Sequence, residues 1–393
     1  MPPALPKPPP PYLNAMTQQD DAGGAAVVRV WDRGVRAAHW LLVLGIAASA
    51  WSGFVLGRTW LAWHLAVGVG VLAVVFWRAV WGVLGPTHAR FAAFVPHPAA
   101  LIAHLRGLPR RPRMRHAGHN PLGALMVLAL LGVPALLGAS GAVALGGMLK
   151  QGPLRAFLSY DLGHGALGWH RALAIMLLGL IALHLAGVAL ESWRGRENLV
   201  RAMLTGDKPA APPFVPVTPA RARPRLAAAI TACGLGAASL GTVALAALPA
   251  RGVPPAVPDP LYAEQCGACH LAFPPSLAPA ATWDRLLADL QHHFTADATL
   301  SADQVAHLRA WLDANAAEHW DTLPAHRLRT PAADGSLRIT DTPGWRRLHR
   351  RIAPAIFAAA PVYRRSACEE CHADAATGRF APQRIAIPRP AAP

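Results

Sequence analysis

The sequence predicts an all-α protein: an integral membrane bundle of four helices, a fifth transmembrane helix and then a small α-helical domain. Composition is one reason, because 53% of the 393 residues are hydrophobic and only 15% are charged, against about 25% in an average soluble domain. A second reason is that five apolar segments precede residue 250, each long enough for the roughly 20 helical residues that cross a bilayer. A third is that the remaining sequence shows amphipathic helices and no alternating strand pattern.

The formal net charge of +16 lies almost entirely in the hydrophobic part of the chain. Residues 1–249 contain 22 Lys and Arg against 7 Asp and Glu, whereas residues 250–393 contain 15 against 14. A basic excess within apolar sequence favours the cytoplasmic loops of a membrane protein over a nucleic-acid-binding patch. We therefore expect membrane lipid as a partner and no nucleic acid.

The segments follow one another in a simple order. Residues 1–27 are rich in Pro, Gly and Ala, lack the pattern of a signal peptide and are predicted to be a disordered tail, with Met16 as an alternative start. The apolar segments cover residues 38–56, 63–84, 121–147, 167–190 and 226–248. The predicted parts are a membrane domain (28–208), a Pro-rich cytoplasmic linker (209–225), the fifth transmembrane helix (226–248), a second linker (249–260) and a C-terminal domain (261–393). The amphipathic helices of that last domain are predicted near residues 281–294, 302–317 and 344–352.

The positions of the basic residues predict the orientation of the membrane domain. A cytoplasmic N-terminus assigns 18 Lys and Arg to the inside and only Arg58, Lys150, Arg155 and Arg171 to the outside, in agreement with the positive-inside rule. Five crossings then place everything after residue 248 outside the membrane.

Four histidines lie in the apolar segments, where polar side chains are costly and usually functional. His170 and His184 are 14 residues apart, a rotation about 40° short of four full helical turns, so they share one helix face about 21 Å apart. The predicted orientation places His64 and His170 at the outer level, and His39 and His184 at the inner level. Each pair supplies two imidazoles at one depth, which is what a six-coordinate b-type haem requires.

The same region resembles the bacterial cytochrome b561 and nickel–iron hydrogenase b-type cytochrome family. The resemblance implies a four-helix protein with two b haems that exchanges electrons with quinones, and its ligands fall on the same four histidines. The fifth helix lies outside the usual pattern of the family and resembles an added tether. The motifs that carry the resemblance are Val30-Trp31-Asp32-Arg33, His39-Trp40, Trp81-Gly82-Val83-Leu84-Gly85-Pro86, Ala89-Arg90-Phe91, Gly118-His119-Asn120-Pro121-Leu122-Gly123, His170 and His184-Leu185-Ala186-Gly187.

Two Cys-x-x-Cys-His motifs stand in the C-terminal domain. They comprise Cys266, Cys269 and His270, and Cys368, Cys371 and His372. This motif attaches haem covalently through two thioethers and places the adjacent imidazole on the iron. A zinc ribbon needs no histidine after each pair and spaces its pairs more closely, so two c haems are the better prediction.

The second axial ligand of each c haem is restricted by composition. Every Met and Lys lies at or before residue 208, so these irons are bound by two histidines or are five-coordinate. Helical phase selects two of the six spare histidines. His293 continues the apolar stripe of its predicted helix, and His349 falls with Trp345 and Ile352. His307 is the next candidate, with His319 and His326 behind it. Chain proximity assigns His293 to the first haem and His349 to the second, and the reverse remains open.

The C-terminal domain resembles the dihaem cytochrome c family. The resemblance also favours His293 and His349 as the distal ligands. It is carried by Leu261-Tyr262-Ala263-Glu264-Gln265-Cys266, Cys269-His270-Leu271-Ala272-Phe273-Pro274-Pro275, His293-Phe294, Asn315-Ala316-Ala317, Arg338-Ile339-Thr340 and the closing Cys368–His372 motif.

Together these patterns predict an electron carrier of the bacterial inner membrane, with two b haems, two covalently bound c haems and a periplasmic C-terminal domain. Quinol is the expected donor and a periplasmic redox protein, such as a soluble cytochrome, the expected acceptor. No catalytic side chain is identified, and the sequence indicates no oligomeric state. Two alternatives remain: one c haem is five-coordinate and binds oxygen, peroxide or an oxyanion, or the membrane domain serves a hydrogenase-like enzyme.

Overall fold

The computed structural model describes residues 27–107, 118–209, 219–255 and 257–388, and the disordered tail predicted at the N-terminus lies outside them except for Val27. Within these ranges the chain is mostly helical. The α-helices are α1 (Arg33–Trp51), α2 (Leu61–Leu84), α3 (Pro98–Gly107), α4 (Pro121–Met148), α5 (Tyr160–Gly195), α6 (Leu199–Thr205), α7 (Pro224–Ala246), α8 (Pro260–Gly267), α9 (Ala280–Ala288), α10 (Ala302–Ala314), α11 (Leu323–Leu328), α12 (Pro343–His349) and α13 (Pro354–Ala358). A π-helical turn, Ser52–Leu56, extends α1, and short 3-10 turns occur at Arg58–Trp60, Thr87–Ala89, Phe91–Ala93, Pro275–Leu277, Ala317–His319, Ile339–Asp341, Cys368–Glu370, Ala375–Thr377 and Pro382–Arg384.

Five helices in the described residues are long and apolar enough to cross a membrane, which confirms the five predicted segments. They are Arg33–Leu56, Arg58–Leu84, Pro121–Met148, Tyr160–Gly195 and Pro224–Ala246. Large side chains on them remain exposed, including Trp63, Trp169 and Trp193, which are 62%, 71% and 77% exposed. Exposed tryptophans near helix ends are typical of a membrane interface. The protein is a membrane protein.

A two-stranded sheet is present that the sequence pattern did not predict. Strand β1 (Val27–Arg29) pairs antiparallel with β2 (Asp207–Pro209), and Arg29 forms an ion pair with Asp207 at 3.1 Å. Strands of three residues are too short for an alternating pattern to be recognised. The sheet joins the chain entering α1 to the chain leaving α6.

One compact unit comprises the described residues within 1–50, 66–138 and 172–237. Asp32 organises the start of α1, because its Oδ1 accepts hydrogen bonds from the backbone N–H of Gly34 (2.7 Å) and from the indole of Trp81 (3.1 Å). The backbone N–H of Arg223 donates to the carbonyl oxygen of Leu84 at 2.8 Å, so α7 begins beside the end of α2. A small core closes this end: Val30, Trp31, Val35, Ala89 and Ala202.

The other compact unit comprises the described residues within 51–65, 139–171 and 238–393. It contains the helix ends that carry His64 and His170, together with the whole described C-terminal domain. That domain has two buried apolar clusters. The larger contains Tyr262, Ala278, Trp283, Leu287, Leu308, Leu312 and Ala316, and the smaller contains Leu277, Leu328 and Trp345.

The amphipathic helices of the C-terminal domain are shorter than the sequence predicts. Helix α9 ends at Ala288, not near residue 294, because the chain turns back on itself. The N–H of Ala298 donates to the Leu290 carbonyl and that of Ala296 to the His293 carbonyl, and Phe294 takes a left-handed conformation with φ 58°. The other two predicted helices end at Ala314 and His349.

Candidate haem sites

His64 at the start of α2 and His170 on α5 form the first membrane pair. Their ring centres are 6.1 Å apart and their planes are inclined by 75°. Two imidazoles on opposite sides of one metal place their ring centres about 6 Å apart, because each nitrogen lies about 2 Å from the metal and about 1.1 Å from its own ring centre. The spacing fits an iron bound between these side chains.

Two Ser-Gly dipeptides support this pair from opposite sides. Ser52 Oγ lies 3.0 Å from Nδ1 of His64, and Ser140 Oγ lies 3.2 Å from Nδ1 of His170. The next residues, Gly53 and Gly141, lie so close that a Cβ on either would be 3.3 Å from the Cε1 of the same imidazole. A hydrogen bond to Nδ1 fixes the ring orientation and leaves Nε2 for the metal. The sequence analysis did not identify either serine. The only local sequence feature that they share is the Ser-Gly dipeptide.

Replacing Ser52 or Ser140 with alanine is expected to raise the midpoint potential of the b haem at His64 and His170. A hydroxyl that accepts a hydrogen bond from the Nδ1–H group makes the imidazole a stronger electron donor, which favours ferric iron. A net hydrogen bond of about 0.5–1.5 kcal/mol corresponds to about 20–65 mV. Redox titration at the b absorption band measures the shift, with Ser192→Ala at the other end of α5 as the control. Unchanged potentials in both variants would contradict a positioning role.

His39 on α1 and His184 on α5 are the second predicted membrane pair, and both lie in the other compact unit. Nδ1 of His39 is buried without a hydrogen-bond partner among the described residues. Since His170 and His184 lie on the same helix, α5 presents one histidine to each pair, as the spacing of 14 residues predicts.

Arg78 has a position that sequence reasoning did not anticipate. It was counted as a cytoplasmic charge, but it lies within α2 and is only 5% exposed. Its guanidinium carbon lies 5.3 Å from the ring centre of Phe91, and its Nη1 has no partner among the described residues. Arg78 follows His64 by 14 residues, so the two share a helix face.

His119, just before α4, is held between two aromatic rings in the unit that contains His184. Its ring centre lies 4.7 Å from those of Trp31 and Phe94. Burial, then the charges of Arg78 and Lys208, lower the pKa of His119 to about 3, so the imidazole is neutral at pH 7. Its Nδ1 is buried without a partner in the part of the chain that the structure describes. A neutral imidazole can accept a hydrogen bond from a hydroxyl group.

The first Cys motif brings His270 to His293. Their ring centres are 6.2 Å apart and their planes are inclined by 21°. Nδ1 of His270 lies 2.7 Å from the carbonyl oxygen of Leu271; a carbonyl only accepts, so Nδ1 carries the proton and Nε2 is left for iron. Burial raises the pKa of the Cys266 thiol to about 11, whereas Cys269 is exposed. His293 reaches this position from the turn after α9, so the helical phase that selected it does not explain its placement.

The second Cys motif brings His372 to His349, the last residue of α12. Their ring centres are 6.1 Å apart, with planes inclined by 78°. Nδ1 of His349 lies 3.0 Å from the Trp345 carbonyl oxygen, which again leaves Nε2 for iron. Aromatic rings surround the pair, with Trp345 at 4.3 Å from His349 and Phe380 at 4.9 Å from His372. Burial lowers the pKa of both imidazoles and keeps them in the neutral form that binds metal.

Two of the three weaker histidine candidates, His307 and His326, have other partners. His307 Nε2 lies 3.0 Å from a carboxylate oxygen of Asp259, and His326 Nε2 lies 3.0 Å from one of Asp321. Among the described residues no group of three or more His, Cys, Asp and Glu side chains is placed to hold a metal ion. The structure brings six of the eight predicted iron ligands together as three pairs, which are His64–His170, His270–His293 and His349–His372. It therefore places His293 beside the first motif and His349 beside the second.

Comparisons with known proteins match two parts of the chain to two different families. The family profile of prokaryotic cytochrome b561 matches residues 30–206, and that of dihaem cytochrome c matches residues 262–380. The chain matches no curated protein. Similar solved structures include the crystal structure of DHC purified from Rhodobacter sphaeroides, with 33% identity over 31% of this chain and 96% of that chain and a TM-score of 0.26. The diheme cytochrome c from Rhodobacter sphaeroides is 37% identical over 31% of this chain and 96% of that chain, with a TM-score of 0.28. The diheme cytochrome type c from Shewanella baltica OS155 is 28% identical over 34% of this chain and 97% of that chain, with a TM-score of 0.28.

Proposed function

Because residues 30–206 belong to the prokaryotic cytochrome b561 family and residues 262–380 to the dihaem cytochrome c family, we propose that this haem-based electron-transfer membrane protein oxidises quinol and reduces a periplasmic acceptor. The observation that carries the proposal is the spacing of three histidine pairs, at 6.1, 6.1 and 6.2 Å between ring centres. Two side chains at this distance would hold an iron between them, and an iron with no open position would carry electrons without binding substrate.

Each site has a defined part in this proposal. His39 with His184 and His64 with His170 would each hold a b-type haem. Two c-type haems would be attached covalently through Cys266 and Cys269, and through Cys368 and Cys371, with the ligand pairs described above. When bound, these haems supply reversible one-electron chemistry of iron. The chain's own residues fix the imidazole orientations and bury the irons among apolar and aromatic side chains, which sets their potentials.

The quinol donor is supported by the surroundings of His119. Each quinol that is oxidised releases two electrons and two protons, so a donor site needs a group that accepts a hydrogen bond from the quinol hydroxyl near the first electron acceptor. His119 is neutral, its Nδ1 has no partner among the described residues, and it is close enough to His184 to interact with it electrostatically. We place the quinol at this end of the bundle, which the basic residues predict to be cytoplasmic, with the C-terminal domain in the periplasm of a bacterial inner-membrane protein.

The proposal predicts that a quinol analogue, added anaerobically to the purified full-length protein, reduces the b absorption bands and then the c bands. A pyridine haemochrome spectrum is expected to give equal amounts of b and c haem. His119→Leu is expected to slow reduction by quinol at least tenfold and to leave reduction by dithionite unchanged. Failure of quinol to reduce the wild-type protein would reject quinol as the donor, and binding of carbon monoxide to ferrous c haem would support an open-coordinate haem instead.

A further inference from the structure

The second Cys motif lies against the membrane-helix ends that carry the His64–His170 pair. The turn Pro382–Arg384 contacts the turn Arg58–Trp60, which precedes α2 and His64. The chain after Pro382–Arg384 returns to the motif, because the N–H of Ala386 donates to the Cys371 carbonyl at 2.9 Å and Ile385 forms a β-bridge with His372. A single turn thus connects the second haem motif to the chain leading into His64.

A buried ion pair fixes this arrangement. Lys150, just after α4, is only 2% exposed, and its Nζ donates to Asp321 Oδ2 at 2.7 Å and to the Leu158 carbonyl oxygen at 2.9 Å. The N–H of Tyr160 donates to the same carboxylate oxygen at 2.9 Å. Burial opposes the ionisation of Asp321, but the hydrogen bonds from Lys150, His326 and Tyr160 outweigh it and lower its pKa. The Asp321 carboxylate is therefore charged at neutral pH.

Other contacts extend the ion pair into what we call the clamp: Lys150, Gln151 and Tyr160 on one side, and Asp321, His326, Arg379 and Gln383 on the other. The Arg379 guanidinium donates to the Lys150 carbonyl at 2.9 Å, and the Gln383 amide to Gln151 Oε1 at 2.7 Å. The ring of His326 stacks on that of Tyr160, with centres 4.0 Å apart.

All clamp residues of the C-terminal domain come from its second half, residues 318–388, which also contains His349 and His372. The first half, residues 260–317, contains Cys266, His270 and His293. Chain order suggests the reverse arrangement, since the first motif follows α7 by 20 residues and the second by more than a hundred. The clamp brings the distant motif back to the His64–His170 pair.

We infer that the second Cys motif is where electrons enter the C-terminal domain, and the first Cys motif is where they leave it. The order of sites is then His39–His184, His64–His170, His349–His372 and His270–His293. Each transfer moves one electron, so that one iron goes from ferrous to ferric and the next from ferric to ferrous, with no bond made or broken. The inference rests on the proposed function, and its physical basis is that the rate of electron transfer falls steeply with distance.

A cross-linking experiment tests which motif faces the membrane domain. In the haem-loaded full chain with Cys233→Ala, the pair Gln151→Cys and Gln383→Cys is expected to be linked by a short bismaleimide reagent, which bridges the gap left by the two shortened side chains. The matched pair Gln151→Cys and Gln291→Cys, with its second cysteine two residues before His293, is expected to stay unlinked. Mass spectrometry of the linked peptides identifies the product. Cross-linking of the second pair and not the first would overturn the inference. Because no quinol is involved, this result is independent of the proposed donor.

A kinetic experiment tests the role of the clamp. Asp321→Asn keeps the shape of the side chain and removes the charge that holds Lys150. It is expected to slow reduction of the c haems by the b haems at least tenfold after rapid mixing with reductant, while the four haem potentials stay unchanged. The control Asp284→Asn removes an exposed ion pair with Arg309 in the first half and is expected to have no effect. The cross-link between residues 151 and 383 is expected to restore the rate in Asp321→Asn; an unslowed variant or a failed rescue would overturn the inference.

Discussion

Replacing His170 with leucine is expected to remove one of the two b haems and to leave both c haems in place. Leucine has a similar volume but no metal-binding nitrogen, so His64 would remain as a single ligand in an apolar site. Haem b is held only by its axial ligands and its packing, and loss of one imidazole removes a coordinate bond that apolar contact does not replace. The pyridine haemochrome spectrum is expected to show a b to c ratio of one to two, and redox titration a single b component.

Double variants test the proposed pairing of the membrane histidines. His64→Leu is expected to remove the same haem as His170→Leu, so the double variant His64→Leu/His170→Leu should lose no more than either single variant. The double variant His64→Leu/His184→Leu takes one ligand from each pair and is expected to lose both b haems. If the first double variant lost both haems and the second lost one, the pairing would be wrong.

The membrane pairs could be predicted from sequence because long transmembrane helices are regular. A spacing of 14 residues fixes the relative face and depth of His170 and His184 in α5, and the orientation of the spans then matches depths between helices. The same regularity placed His64 at the level of His170, where the structure shows their rings 6.1 Å apart.

The position of His293 could not be predicted from helical phase. Helical phase selected the residue, but α9 ends at Ala288 and His293 reaches His270 from a turn. The apolar stripe continues past the end of the helix, so hydrophobic periodicity alone does not reveal where the backbone stops being helical. In the second half of the domain α12 does extend to His349, so His349 lies on a helix as the phase argument assumes.

The clamp could not be predicted because its members are distant in sequence. Lys150 and Asp321 are separated by 171 residues, and no local pattern connects them. The sequence alone identifies Lys150 only as one of four basic residues assigned to the outside. Ser52 and Ser140 were missed for a different reason, since serine in a membrane helix commonly bonds to the backbone of its own helix. Only the fold shows that both hydroxyls face ligand imidazoles.

Removing the second Cys motif is expected to unfold its half of the C-terminal domain, whereas removing the first is expected to leave more structure. The two halves differ in how much buried apolar material they have without haem. Seven residues of the first half form the larger cluster, around Trp283 and Leu308. The smaller cluster has only Leu328 and Trp345 from the second half, together with Leu277 from the first. Segments with so small a core rarely fold without a covalent or metal constraint, so the haem that we propose between His349 and His372 would supply the centre of that half.

The variants Cys368→Ala/Cys371→Ala and Cys266→Ala/Cys269→Ala form a matched pair for this prediction. Each is expected to lose half of the covalently bound haem on a haem-stained denaturing gel. Limited proteolysis should then cut the first variant within residues 318–388 at least tenfold faster than wild type, and leave the same region protected in the second. Because the clamp belongs to that half, electron transfer from the b haems should cease in the first variant, while the second still reduces its remaining c haem. Equal protease sensitivity of the two variants would show that the haem at His349 and His372 is not the core of its half.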